Sequence, residues 1–113
     1  MSKPKAESSA DKKLKIQIGV CKRMTKEVAS YEKEALQNEA RIQKMRDENK
    51  DEYDIRKQEE VLQESYMMIP DSKYRLQQTI ADLSTLVEDC REEPGLNPAL
   101  LSEANEIITA FQG

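Results

Sequence analysis

From Leu14 onward, side chains recur at alternating spacings of three and four: Leu14, Gln17, Cys21, Met24, Val28, Tyr31, Ala35, Asn38, Ile42 and Met45. Eight of these ten are apolar, which is the period of a helix with a heptad seam and not the alternation of a strand. The pattern predicts one long helix over about 11–46. Gly19 is the one weak helix former inside it, and a mid-helix glycine costs about 1 kcal/mol relative to Ala. Its presence points to a close helix crossing or to a contact surface, and the crossing is the expectation.

Asp47-Glu48-Asn49-Lys50-Asp51 is short and wholly polar, as suits a tight reversal between antiparallel helices. A second pattern follows in Tyr53, Ile55, Gln58, Leu62, Ser65, Ile69, Ser72, Leu76, Thr79, Leu83, Leu86 and Cys90, widened by Ile80 and Val87. Pro70 interrupts it. A proline inside a helix removes one backbone hydrogen bond and kinks or ends the helix, at about 3 kcal/mol. Ile69-Pro70-Asp71-Ser72 leaves no room for a loop, so a kink in a continuous helix is predicted. If the hairpin centres on Asn49, residue i faces residue 98 − i: Leu62 meets Leu36, Ile80 meets Ile18 and Leu83 falls within one position of Leu14.

Glu92-Glu93-Pro94-Gly95-Leu96-Asn97-Pro98 forms the second break. Asn97 and Pro98 read as the cap and first residue of a last, shorter helix. Leu100, Leu101, Ala104, Ile107, Ile108 and Phe111 supply its apolar face. The expected architecture is all-α: a rod-like antiparallel three-helix bundle with coiled-coil-type packing, helices over about 11–46, 51–91 and 98–111, the second kinked at Pro70. Residues 1–11 read as a disordered basic tail and 12–113 as one helical domain. In this register Cys21 and Cys90 lie far too far apart for a disulfide, so both are expected as reduced core or seam residues.

The 113 residues hold 18 Lys plus Arg, 22 Asp plus Glu and no histidine. The missing imidazole removes Ser-His triads and His-metal sites. Glycines at 19, 95 and 113 form no phosphate loop. Carboxylate pairs such as Glu59/Glu60 and Glu88/Asp89 fall on polar faces or in turns, without the desolvated cleft that would split their pKa values. No enzyme, cofactor or metal is expected, and no membrane-spanning run is present. Charge is uneven: residues 1–26 carry eight bases against Glu7 and Asp11, a net +6, and 27–113 carry ten bases against twenty acids, a net −10. No aromatic stands among the early bases to stack on a nucleobase, so the basic head suits an acidic protein surface better than nucleic acid.

Ser65-Tyr66-Met67-Met68-Ile69-Pro70-Asp71 is the stretch most suggestive of contact. Tyr66, Met67 and Met68 sweep around the helix, so one packing partner cannot cover them all, and exposed methionine suits adaptable apolar recognition. They can equally pack around the kink. Asn38 and Gln17 are polar positions on the first seam. They fix register, or else face water where the third helix is absent.

Lys15-Ile16-Gln17-Ile18-Gly19-Val20-Cys21-Lys22-Arg23-Met24, Tyr31-Glu32-Lys33-Glu34-Ala35 and Ile42-Gln43-Lys44-Met45-Arg46 resemble the first helix of the tubulin-folding cofactor A family. Tyr53-Asp54-Ile55-Arg56-Lys57-Gln58, Val61-Leu62-Gln63-Glu64-Ser65 and Met67-Met68-Ile69-Pro70-Asp71 resemble its second. The resemblance covers about 12–91 and fades in the last helix. It implies a cytoplasmic, cytoskeleton-associated monomer that uses no nucleotide. Such a protein binds β-tubulin after chaperonin release, holds it for heterodimer assembly and works alongside other tubulin-folding cofactors. On that reading Tyr53, Arg56, Lys57, Met67, Met68 and Asp71 are the expected contacts, with Arg23 and Lys26 as electrostatic support. The alternative from another class is a structural coiled coil that self-associates through its seams.

Overall fold

The spacing of three and four is realised as three helices in a computed structural model that describes residues 8–112: α1 (Ser9–Asp47), α2 (Glu52–Cys90) and α3 (Pro98–Gln112). Of the tail expected over 1–11, residues 1–7 lie outside the described residues. Ser8 to Asp11 are the cap and first turn of α1, where Ser8 Oγ accepts the Asp11 N–H at 3.0 Å, satisfying a donor that no helical carbonyl reaches. No strand occurs among the described residues.

The ends of the helices follow from turn chemistry. Asn49 takes a left-handed φ of 53°, the Lys50 N–H reaches the Met45 carbonyl at 2.9 Å and the Asn49 N–H reaches Arg46 at 3.1 Å. Those two bonds are the Schellman closure of α1, with asparagine in the one position where glycine is commoner. At the second break, Glu93 to Leu96 is a type II turn, with Pro94 and then Gly95 at φ 80°. Asn97 Oδ1 then accepts the Ala99 N–H at 2.9 Å, which caps α3 as the sequence predicts. Pro70 lies inside α2, which continues through it.

Packing divides the described residues into two compact units. The first takes α1 up to Met24 and the chain from Leu76 onward; the second is Thr25–Arg75. The first unit has a continuous apolar core in which Leu14, Ile18 and Cys21 of α1 meet Ile80, Leu83 and Val87 of α2 and Leu100 and Ala104 of α3. Leu14, Cys21 and Leu83 are completely buried there. Cys21 and Cys90 are buried free thiols, as expected. Asp11 is also buried and accepts the Asn97 N–H at 2.8 Å, so the first turn of α1 holds the cap of α3 in place.

The second unit is a two-helix hairpin with a different interior. Its buried positions are Val28, Ala35, Asn38 and Ile42 on α1, and Ser65 and Ser72 on α2. Asn38 Nδ2 donates to Ser65 Oγ at 3.3 Å, and Ser65 in turn donates to the Val61 carbonyl. Asn38 therefore does not face water; it pairs across the seam. Gln17, in the first unit, is half-buried and donates to the Thr79 carbonyl at 3.0 Å.

Leu36 is 66% exposed, so the expected Leu62–Leu36 pairing does not form; Leu62 instead shares a shallow hollow with Ile42. The partners across the second unit are Glu27–Arg75, Glu32–Lys73, Asn38–Ser65, Glu39–Tyr66 and Arg46–Glu59. Their numbers sum to 102–105 rather than 98. Helical side chains lean toward their own N-terminus. On α1 that is away from the turn and on α2 toward it, so each α1 side chain meets an α2 residue farther along than a count of Cα positions gives.

Candidate interaction surface

On α2 the seam positions Ile55, Gln58, Leu62, Ser65, Ile69 and Ser72 point toward α1, and all are buried or half-buried. At 100° per residue, Tyr53, Arg56, Lys57, Glu60, Glu64, Met67, Met68 and Asp71 then fall within an arc of about 120° on the opposite side. Six of the eight expected contact residues share this strip, because they are spaced three and four apart just as the seam is. Within it Tyr53 is 60%, Met67 72% and Met68 37% exposed. Met67 and Met68 do not retreat to pack around Pro70.

The strip is chemically mixed. At its N-terminal end Asp51 Oδ1 accepts the Tyr53 N–H at 3.4 Å. Lys57 Nζ sits 5.1 Å from the centroid of the Tyr53 ring, within cation–π range. Arg56 is exposed beside the helical turn and lines an open hollow with Arg46, Lys50 and Glu59. At the C-terminal end Asp71 pairs with Arg75 at 3.4 Å, and the same guanidinium reaches Glu27 at 3.4 Å. These pairs are exposed, so they order side chains more than they stabilise the fold.

Two large side chains that the sequence reading did not select, Val61 and Tyr74, lie on or beside the same strip, and Tyr66 is exposed at its flank. Extending the spacing of three and four from Lys57 and from Met67 would have found Val61 and Tyr74. Tyr66 leans back over α1, where its hydroxyl donates to the Glu39 carboxylate. That bond, with desolvation and the charge of Glu39 adding to it, holds the phenol above its ordinary pKa.

Arg23 and Lys26 are exposed but not part of this strip. Lys26 lies on the side of α1 turned away from α2, and Arg23 belongs to the first unit. Gly19 carries a correction. A Cβ built there meets nothing within 4 Å, so no helix crosses at Gly19 and the glycine is not required by packing.

The chemistry available is that of binding. Among the described residues no group of three or more Asp, Glu or Cys is placed to hold a metal ion, and no helix is long and apolar enough to cross a membrane. The carboxylate pairs stand exposed, except for Glu59, which is half-buried and bonded to Arg46. Burial, with the Asp82 carboxylate adding to it, pushes the Cys21 thiol up and away from its nucleophilic form. Its Sγ donates to the Thr79 carbonyl at 3.7 Å.

Three comparisons place this arrangement. The family profile described as "Tubulin binding cofactor A" matches residues 9–108. A tubulin-specific chaperone A from Homo sapiens is 51% identical over 78 residues, 69% of this chain and 72% of the relative. A tubulin-folding cofactor A from Arabidopsis thaliana is 47% identical over 91 residues, 76% of this chain and 80% of the relative. Among solved structures, tubulin folding cofactor A from Arabidopsis thaliana superposes with a TM-score of 0.81 at 36% identity, covering 92% of this chain and 96% of that one. The human tubulin chaperone cofactor A superposes with a TM-score of 0.70 at 40% identity, covering 92% and 99%. The match runs through all three helices, the last one included, and the chain belongs to the tubulin binding cofactor A family.

Proposed function

We propose that this chain is a cytoplasmic tubulin-folding cofactor. It captures β-tubulin monomer after release from the chaperonin and holds it, without nucleotide, until the other folding cofactors assemble the heterodimer. The observation that carries this reading is the exterior of α2: Tyr53, Val61, Tyr66, Met67, Met68 and Tyr74 are all large, apolar and at least 37% exposed. Solitary exposed apolar residues are ordinary on a protein surface, but a run of them along one helix marks an interaction surface. Methionine adapts to irregular apolar surfaces, and tyrosine combines a flat ring with a polar tip. Arg56, Lys57 and Asp71 would set orientation at the rim, with Arg23 and Lys26 speeding encounter with an acidic subunit.

The test is capture of β-tubulin from cytosol by the tagged full chain, scored against α-tubulin. Wild type is expected to retain β-tubulin preferentially. Met67→Ser with Met68→Ser keeps the helicity, because both side chains are outside the seam, and weakens capture about tenfold or more, as the loss of a contact centre does. Unchanged capture with the fold intact would remove the α2 strip from the interface. Equal retention of the two tubulins would remove the β-specificity.

A further inference from the structure

Gly19 stands in the middle of α1 with open space where its Cβ would be, yet a helix is weakened by glycine and here no packing asks for one. Its surroundings are specific. Leu14, Ile18 and Cys21 face the core of the first unit, so Lys12, Lys15, Ile16, Gly19 and Arg23, spaced three and four apart, line the opposite side of the helix. Ile16 is 68% exposed there. From Lys12 to Met24, α1 carries Lys12, Lys13, Lys15, Lys22 and Arg23 and not one acidic residue. Of these, Lys15 and Lys22 both have partners, that of Lys22 being Glu103 of α3, and the nearest acid on α1, Asp11, is buried against Asn97.

The helix therefore presents a shallow notch at Gly19, with an exposed isoleucine on one side and cations along both edges. A notch of this kind lets another backbone come closer to a helix than any side chain would permit. The cations favour a partner segment rich in Asp and Glu and disfavour a basic one. We infer that this face of α1 is a second docking surface, at which an acidic segment of the captured subunit lies with its main chain against Gly19. The inference rests on the capture reading above and adds a surface that the α2 strip does not include.

The experiment uses the tagged full chain and β-tubulin released from chaperonin, with wild-type capture measured first. If wild type captures nothing, the functional reading fails before this one is reached. Gly19→Ala should raise the melting temperature by about 4 °C, since it removes a helix weakness without a clash. The same change should weaken capture at least about fivefold, because the added methyl overpacks the notch. Gly19→Leu has nearly the helix propensity of Ala, so it should melt like Gly19→Ala while capturing less well. Arg23→Glu should lower capture and flatten its dependence on salt. Stabler Gly19 variants that capture as well as wild type would overturn the notch. Capture indifferent to Arg23→Glu and to salt would overturn the acidic occupant.

Discussion

The two compact units use the same pair of helices in opposite ways. In the first, α1 and α2 meet with Leu14, Ile18, Cys21, Ile80, Leu83 and Val87, and α3 closes the core with Leu100 and Ala104. In the second, the buried positions are Val28, Ala35, Asn38, Ile42, Ser65 and Ser72, with Ile55, Leu62 and Ile69 of α2 only half-buried, while Tyr53, Val61, Tyr66, Met67, Met68 and Tyr74 stand outside. Burial of apolar area is the main favourable term in folding, so the first unit is built as the stable element. The second is held by a thinner seam and carries more of its large apolar side chains on the outside. Regions of low local stability are where binding surfaces are commonly found.

The largest effect that separates the units is cavity formation. Leu83→Ala empties a fully buried site and should cost about 2–5 kcal/mol. Leu62→Ala, at a half-buried site of the second unit, should cost about half as much. Denaturant unfolding of both variants checks the ratio. Backbone hydrogen exchange checks its origin, with slower exchange expected around Leu83 than around Leu62. Equal costs and equal protection would mean that the second seam is as tight as the first, and the contrast would be lost.

A smaller effect tests why the second seam is polar. Asn38→Ala removes a buried amide and the hydrogen bond to Ser65, and about 1–3 kcal/mol of destabilisation is expected. Replacing the pair together, as Asn38→Leu with Ser65→Ala, should restore stability to wild type or above, because no polar group is then left in the seam without its partner. The informative measurement is sedimentation of that double variant. A polar pair inside a helical seam specifies which helix faces which, so the repaired seam is expected to associate more strongly than wild type. A monomeric double variant would reduce the pair to a packing detail.

How far these differences were legible depends on which property carries them. The three helices follow from period, and their ends follow from Asn49, Gly95 and Asn97, whose conformations are local. Continuity through Pro70 followed from the lack of room for a loop. The register did not follow, because a count from the turn ignores the lean of side chains along the axis; Leu36 was counted as the partner of Leu62 and stands in solvent. Ser8 to Asp11 were read as tail since no apolar residue but Ala10 marks them, and what orders them is a cap and a long-range bond to Asn97. The shared exposed face of Tyr53, Arg56, Lys57, Met67, Met68 and Asp71 was legible because the six share one helical period. Tyr74 was passed over because the choice followed the resemblance rather than the wheel, and Tyr66, though singled out, falls beside the seam on that wheel. The openness of Gly19 could not be read at all, since the same glycine suits a crossing or a bare surface until the neighbours are in place.

The smallest expected effect concerns whether the outer surface of the second unit is tethered or loose, and it is read by pH. Tyr66 donates to Glu39, so the phenol must keep its proton for the bond to exist. Its folded pKa lies above the ordinary value of 10.0. By linkage, whatever this bond contributes is complete below the unfolded value near 10 and is lost as the pH rises through the folded one. Nothing changes at neutral pH. The phenolate absorbance of wild type minus that of Tyr66→Phe isolates the one group among four tyrosines, and a step above pH 10 is expected. Glu39→Gln removes the carboxylate charge and should bring that step down toward 10 while leaving helicity unchanged. A wild-type step already at the ordinary value would mean that Tyr66 is free of α1. The ring would then join Met67 as an untethered side chain, and the second unit would meet its partner with a surface ordered only on contact.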